Sequence, residues 1–140
     1  MDWVLGYLGK PWAAGADGPD AYDCWGLVRA VYRERLGIEL PVVDVESLSP
    51  LATRRALAQH PERMRWRVLV EPEPYAVALM SYGSRPHHVG VWTGEGVLHA
   101  VEGAGVLHQS LASLAVHRWR LLELYARDGG GDLAPRDEER

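Results

Sequence analysis

The chain contains no phenylalanine, a single cysteine at Cys24 and a single lysine at Lys10. A lone thiol closes no internal disulfide, which excludes a disulfide-stapled scaffold and leaves the redox compartment unreadable. Basic excess is missing too. The net charge is −4 and the pI near 5.8, which argues against a nucleic-acid-binding surface. Arginine supplies every basic residue other than Lys10, and the arginines are scattered rather than gathered into a patch. No stretch approaches the roughly 18–20 apolar residues that span a bilayer, so no membrane insertion is expected. Met1-Asp2-Trp3-Val4-Leu5-Gly6 lacks the basic and then long apolar pattern of a signal peptide; a protein made in the cytoplasm is the expectation. What is present is ordinary for a globular protein: 140 residues, 47% hydrophobic and 24% charged, enough for one domain with a real core.

Cys24 stands where an irregular, glycine-rich segment (Gly15-Ala16-Asp17-Gly18-Pro19-Asp20) gives way to a helical pattern. Leu27, Val28, Val31 and Leu36 recur at helical spacing with Arg29, Arg33, Glu34 and Arg35 between them, predicting an amphipathic helix that stops at Gly37. A short helix is expected over Trp3–Leu8 and another from Ser49-Pro50 to His60. After Pro61 the period changes. Trp66–Val70, Ala76–Met80, His88–Trp92, Val97–Val101 and Leu121–Tyr125 read as short strands. Helices followed by strands imply an α+β fold, N-terminal helices packed on a C-terminal antiparallel sheet. The expected organisation is a single domain over 1–127 and a disordered tail over 128–140.

In the first turn of its helix, Cys24 would meet unpaired backbone N–H groups and the positive end of the macrodipole, a setting that favours a thiolate. The alternative is a small buried hydrophobe. Among the six histidines, His60, His108 and His117 read as ordinary surface or satisfied residues. His87, His88 and His99 are different. Gly94-Glu95 suits a two-residue hairpin turn with glycine first. If Thr93 pairs with Gly96, His88 and His99 become diagonal neighbours on one sheet face, roughly 7–8 Å apart between backbones. His87 then points to the other face, and Gly90 leaves open space beside His88. Cys24, His88 and His99 would make a nucleophile, a base and the residue orienting it. Two histidines on a half-solvated face is the competing view. A zinc site of these three residues fits no recognised ligand spacing.

Asp23-Cys24-Trp25-Gly26-Leu27-Val28, with Leu8-Gly9-Lys10-Pro11-Trp12 before it and Gly37-Ile38-Glu39-Leu40-Pro41 after it, resembles the NlpC-type (NlpC/P60) peptidases. His88-Val89-Gly90-Val91-Trp92, followed by Gly94-Glu95-Gly96-Val97-Leu98-His99-Ala100, resembles that family's histidine hairpin. The resemblance covers most of residues 5–125, in the family's order. It implies a papain-like fold and a cysteine peptidase that hydrolyses peptidoglycan stem peptides without metal or organic cofactor. Cys24 matches the nucleophile, His88 the general base and His99 its orienting residue. Asp23 matches an aspartate that helps hold substrate. Trp12 stands where the family often has an oxyanion tyrosine, and Trp25 where it commonly has serine, which would make a bulkier cleft wall. Both tryptophans, with Asp23-Cys24-Trp25-Gly26-Leu27-Val28-Arg29, are similar to a branch found in phage and prophage tails. That implies phage tail proteins as partners, and a virion tail acting on the cell wall as the location. The rival expectations are a non-catalytic structural tail assembly protein and an antibacterial amidase effector.

Overall fold

Leu27, Val28, Ala30 and Val31 are wholly buried, so the helix that starts at Cys24 lies at the centre of the fold. The computed structural model describes residues 2–40, 42, 66–83 and 85–127. Within these, α1 (Asp2–Leu5) precedes α2 (Cys24–Val31), and a π-helical turn over Tyr32–Leu36 continues α2. Strands β1 (Trp66–Val68), β2 (Val77–Tyr82), β3 (Arg85–Trp92), β4 (Val97–Val101) and β5 (Gly105–Gln109) follow, then α3 (Leu111–Val116) and β6 (Trp119–Arg127). The α+β expectation holds: the strands form one antiparallel sheet in the order β1-β6-β2-β3-β4-β5.

Strand alternation gives the sheet two different faces. Val77, Leu79, Val89, Val91, Leu98 and Ala100 join the side chains of α2 in the larger core. Ala76, Ala78, Met80, Trp92, Val97 and Leu124 face the other way and pack with Leu114 of α3. α2 is therefore buried nearly all round rather than amphipathic, as befits a helix between the sheet and the N-terminal segment. Its exception is Arg29, which bonds Asp17 Oδ2 at 2.7 Å and the Leu40 carbonyl at 3.2 Å, tying the flanking loops to the helix. The charged stretch predicted to lie along the helix instead occupies the π-helical turn. That turn ends as expected at Gly37, whose φ of 72° suits glycine.

The hairpin follows the predicted register. Val91 pairs with Leu98 and Trp92 with Val97, and the Thr93 N–H donates to the Gly96 carbonyl at 2.9 Å. Gly94, at φ 102°, takes the first turn position. Two elements lie outside the expectations: β5 and α3 follow β4 directly, and β6 inserts between β1 and β2. The helix expected over Ser49–His60 and the tail expected over 128–140 fall outside the described residues, as does His60.

Candidate active site

Asp23 explains why α2 begins at Cys24. Its carboxylate accepts from the Gly26 N–H and the Gly15 N–H, both at 2.6 Å, capping the helix and fastening the preceding loop. At 2% exposure it has no surface to offer a substrate. This corrects the substrate-binding role expected for Asp23: backbone amides already occupy both carboxylate oxygens.

Cys24 is the first residue of α2 and only 4% exposed. Burial pushes its thiol up to about 12, and the Asp23 charge pushes the same way, while backbone hydrogen bonds from Val89, Trp25 and Cys24 itself pull it down. The helix N-terminus, worth about 0.3–1 kcal/mol at an exposed site, is outweighed. Burial thus offsets the preference for a thiolate expected at the helix start. A thiol this buried needs a base beside it to act as a nucleophile.

A base is at hand. Cys24 and His88 line one cleft of about 940 Å³, together with Trp12, Tyr82, Trp119, Leu107 and Gln109. His88 Nε2 lies 2.9 Å from His99 Nδ1, with the rings edge-on at 75°. His99 is fully buried behind it, and its Nε2 lies 2.7 Å from Oε1 of Gln109. Trp119 covers the pair. Its ring centre is 4.5 Å from that of His88 at 37° and 5.1 Å from that of His99 at 85°. The hairpin thus brings His88 and His99 together as the turn arithmetic required.

Burial pushes His99 down to about 4; its hydrogen bond to Gln109 raises it and nearby His108 lowers it further. A base whose folded pKa lies below its unfolded value near 6.5 binds its proton more readily when unfolded. Its stabilising share is whole above about pH 6.5 and is lost as pH falls toward 4, on the order of 3 kcal/mol in all. Urea unfolding of the wild type and His99→Asn at pH 7 and pH 4.5 reads this share. The stability of the wild type relative to the variant is expected to fall by about 2–3 kcal/mol at the acid pH. A pH-independent difference would count against a neutral, buried His99.

Two further expectations are corrected. Trp25 is 2% exposed and packs in the larger core, so it is not a cleft wall. The space at Gly90 is already taken: a Cβ there would come within 2.7 Å of Val97 Cγ1, 2.8 Å of the Leu98 carbonyl and 2.9 Å of His99 Cβ. Gly90 lets β4 approach β3 closely and does not admit a ligand. Trp12, by contrast, does line the cleft, and among the described residues its indole N–H has no hydrogen-bond partner. The residues missed in the sequence are Trp119 and Gln109. His108 and His117, read as ordinary, also face the cleft; His108 bonds Thr93 Oγ1 at 2.7 Å and His117 Nδ1 donates to the Ser113 carbonyl at 2.8 Å. No group of three or more metal-binding side chains is gathered among the described residues.

The NlpC/P60 family profile matches residues 9–121. The probable endopeptidase p60 of Listeria innocua is 28% identical over 105 residues, covering 75% of this chain and 20% of its own length. Its Listeria monocytogenes counterpart is also 28% identical over 105 residues, with 19% of its length covered. The chain thus spans about a fifth of the length of the curated relatives it matches. Among solved structures, NlpC2 from Trichomonas vaginalis aligns with a TM-score of 0.61 at 20% identity, over 89% of this chain and 45% of that one. The NlpC/p60 domain of the peptidoglycan hydrolase SagA aligns with a TM-score of 0.58 at 21% identity, over 88% and 92%. These two likenesses are likenesses of fold. With its sequence matched from Gly9 to Leu121 and a few helices packed on an antiparallel sheet, this chain belongs to the NlpC/P60 family.

Proposed function

We propose that the chain is a cysteine endopeptidase that hydrolyses the peptide stems of peptidoglycan, with Cys24 as nucleophile, His88 as general base and His99 as its orienting partner. One observation carries this reading: the thiol at the start of α2 and an imidazole backed at 2.9 Å by a second imidazole line the same cleft. His88 takes the Cys24 proton as sulfur attacks the carbonyl of the scissile amide, next to D-glutamate and a diamino acid. The Cys24 backbone N–H, at the helix start, donates to the developing oxyanion, and the Trp12 indole N–H supplies a second donor from the cleft wall. His88 then passes its proton to the leaving amine. Water hydrolyses the thioester, releasing the acid and restoring the thiol.

A phage or prophage tail is the proposed setting, supported by Trp12 and the Asp23-Cys24-Trp25-Gly26-Leu27-Val28-Arg29 motif. Mass spectrometry of purified virions checks it: the chain is expected among tail proteins, and its absence there alongside secretion into rival cells would point to an effector instead.

The activity is tested on purified peptidoglycan and on defined muropeptides, with products identified by mass. Soluble stem fragments bearing one new amine and one new carboxyl terminus are expected. Intact substrate would instead favour a structural tail component. In the same assay His99→Asn is expected to keep at least about tenfold more activity than His99→Ala, because an amide can still hold the His88 ring. Equal losses would contradict the orienting role.

A further inference from the structure

The hydrogen bonds behind His88 have a direction, and Gln109 sets it. An amide oxygen only accepts, so the 2.7 Å contact between Gln109 Oε1 and His99 Nε2 requires the proton on that nitrogen. A neutral imidazole carries one N–H, and burial keeps His99 neutral. Nδ1 of His99 is then a lone pair, and at 2.9 Å it accepts the proton on Nε2 of His88. When the His88 ring carries a single proton, its Nδ1 is the acceptor. With the amide turned over, every step reverses: an amide N–H would donate to His99, His99 to His88, and Nδ1 of His88 would carry a proton where a base needs a lone pair.

Oε1 of this amide faces His99 and its Nε2 faces Ser113. Gln109 Nε2 donates to Ser113 Oγ at 3.0 Å. His117 Nδ1, which donates to the Ser113 carbonyl at 2.8 Å, lies 3.4 Å from the same nitrogen. Ser113 is itself fixed in the first turn of α3, its N–H donating to Ser110 Oγ at 3.1 Å. These contacts define a chain of protons. It runs Ser113, Gln109, His99, His88.

We propose that Gln109 is a positioning residue: held by Ser113, its amide oxygen fixes the tautomers of His99 and His88 so that Nδ1 of His88 is the nitrogen that takes the Cys24 proton. This rests on the reading of Cys24 and His88 as nucleophile and base, but its main readout needs no substrate. The full chain, with ¹⁵N-labelled histidine, is compared at pH 7 with Gln109→Glu, which keeps the acceptor, and Gln109→Met, which removes it at similar volume. In the wild type and Gln109→Glu, the ring-nitrogen spectrum of His99 is expected to show Nε2–H. In Gln109→Met a mixture of tautomers is expected, with kcat lower by about 10–100-fold and KM within about twofold, whereas Gln109→Glu stays within about fivefold of wild type. Should Gln109→Met not fold, Ser113→Ala loosens the amide and is expected to shift the His99 tautomer in the same direction. A wild-type tautomer in both of these variants, or equal kcat losses in Gln109→Met and Gln109→Glu, would overturn the proposal. A Gln109-dependent tautomer in a protein that cleaves no stem peptide would support the proton chain and overturn the hydrolase reading alone.

Discussion

His88→Ala is expected to lower kcat/KM for stem-peptide cleavage by about 10⁴-fold or more while the protein remains folded, and Cys24→Ala to abolish cleavage. The magnitude follows from burial. With the Cys24 thiol pushed up to about 12, the thiolate is scarce at pH 7 without a partner to take the proton. His88 lines the same cleft and supplies that partner. The substitution removes one ring from the stack under Trp119, worth about 0.5–1.5 kcal/mol. It also removes the partner of the buried His99 Nδ1, worth about 1–3 kcal/mol. Together these are still below the roughly 5–15 kcal/mol that hold a domain folded. Product release followed by mass, with near-ultraviolet circular dichroism as the check on folding, measures both. Cleavage by His88→Ala within tenfold of wild type would mean that another group takes the proton.

Gly26→Ala is expected to have the largest effect on stability, at least about 3–5 kcal/mol, despite a change that ordinarily favours a helix by about 1 kcal/mol. The added Cβ would lie 1.9 Å from the Ala16 carbonyl oxygen and 2.9 Å from Asp23 Oδ1. Neither neighbour can step aside cheaply. The Ala16 carbonyl accepts from the Asp23 N–H at 2.9 Å, and Asp23 holds the Gly26 and Gly15 amides at 2.6 Å. Moving the loop therefore breaks the cap that starts the helix at Cys24. A collapse of the urea midpoint, or failure to recover soluble folded protein, is the expected observation. A midpoint within a few tenths molar of wild type would show that the loop yields freely.

The parts of this fold that local chemistry decides were legible in the sequence. Gly94-Glu95 suits a two-residue turn, and that turn sets the register that puts His88 beside His99. Gly37 ended the helical pattern because its backbone takes φ 72°. Residue roles that depend on what lies across the fold were not legible. Trp25 follows Cys24 in sequence, yet one step along a helix is a turn of about 100°, enough to carry it into the core. Gly90 looked like room for a ligand because the approach of β4 comes from the partner strand, not from β3 itself. Asp23 carried a readable signal, an aspartate directly before a helix with no other cap, and capping was the simpler role.

Gln109 was hidden by a missed strand. Gly103 and Gly105 mark a turn after β4, and a hairpin there places Leu107 opposite His99 and Gln109 diagonal to it. Trp119 had no such signal. It reaches the histidines because β6 crosses to the middle of the sheet, a non-local pairing that no stretch of sequence announces.

The most direct test of an activated thiol in this cleft uses the fact that the chain has one cysteine, so every alkylation event reports on Cys24. Iodoacetamide modification is followed by intact mass at pH 7, with folded wild type beside folded His88→Ala. Modification of the wild type at least about tenfold faster than the variant, with loss of peptidoglycan cleavage in step with the added mass, is expected. Equal rates in the two proteins would contradict the account, since the thiol would then owe nothing to His88.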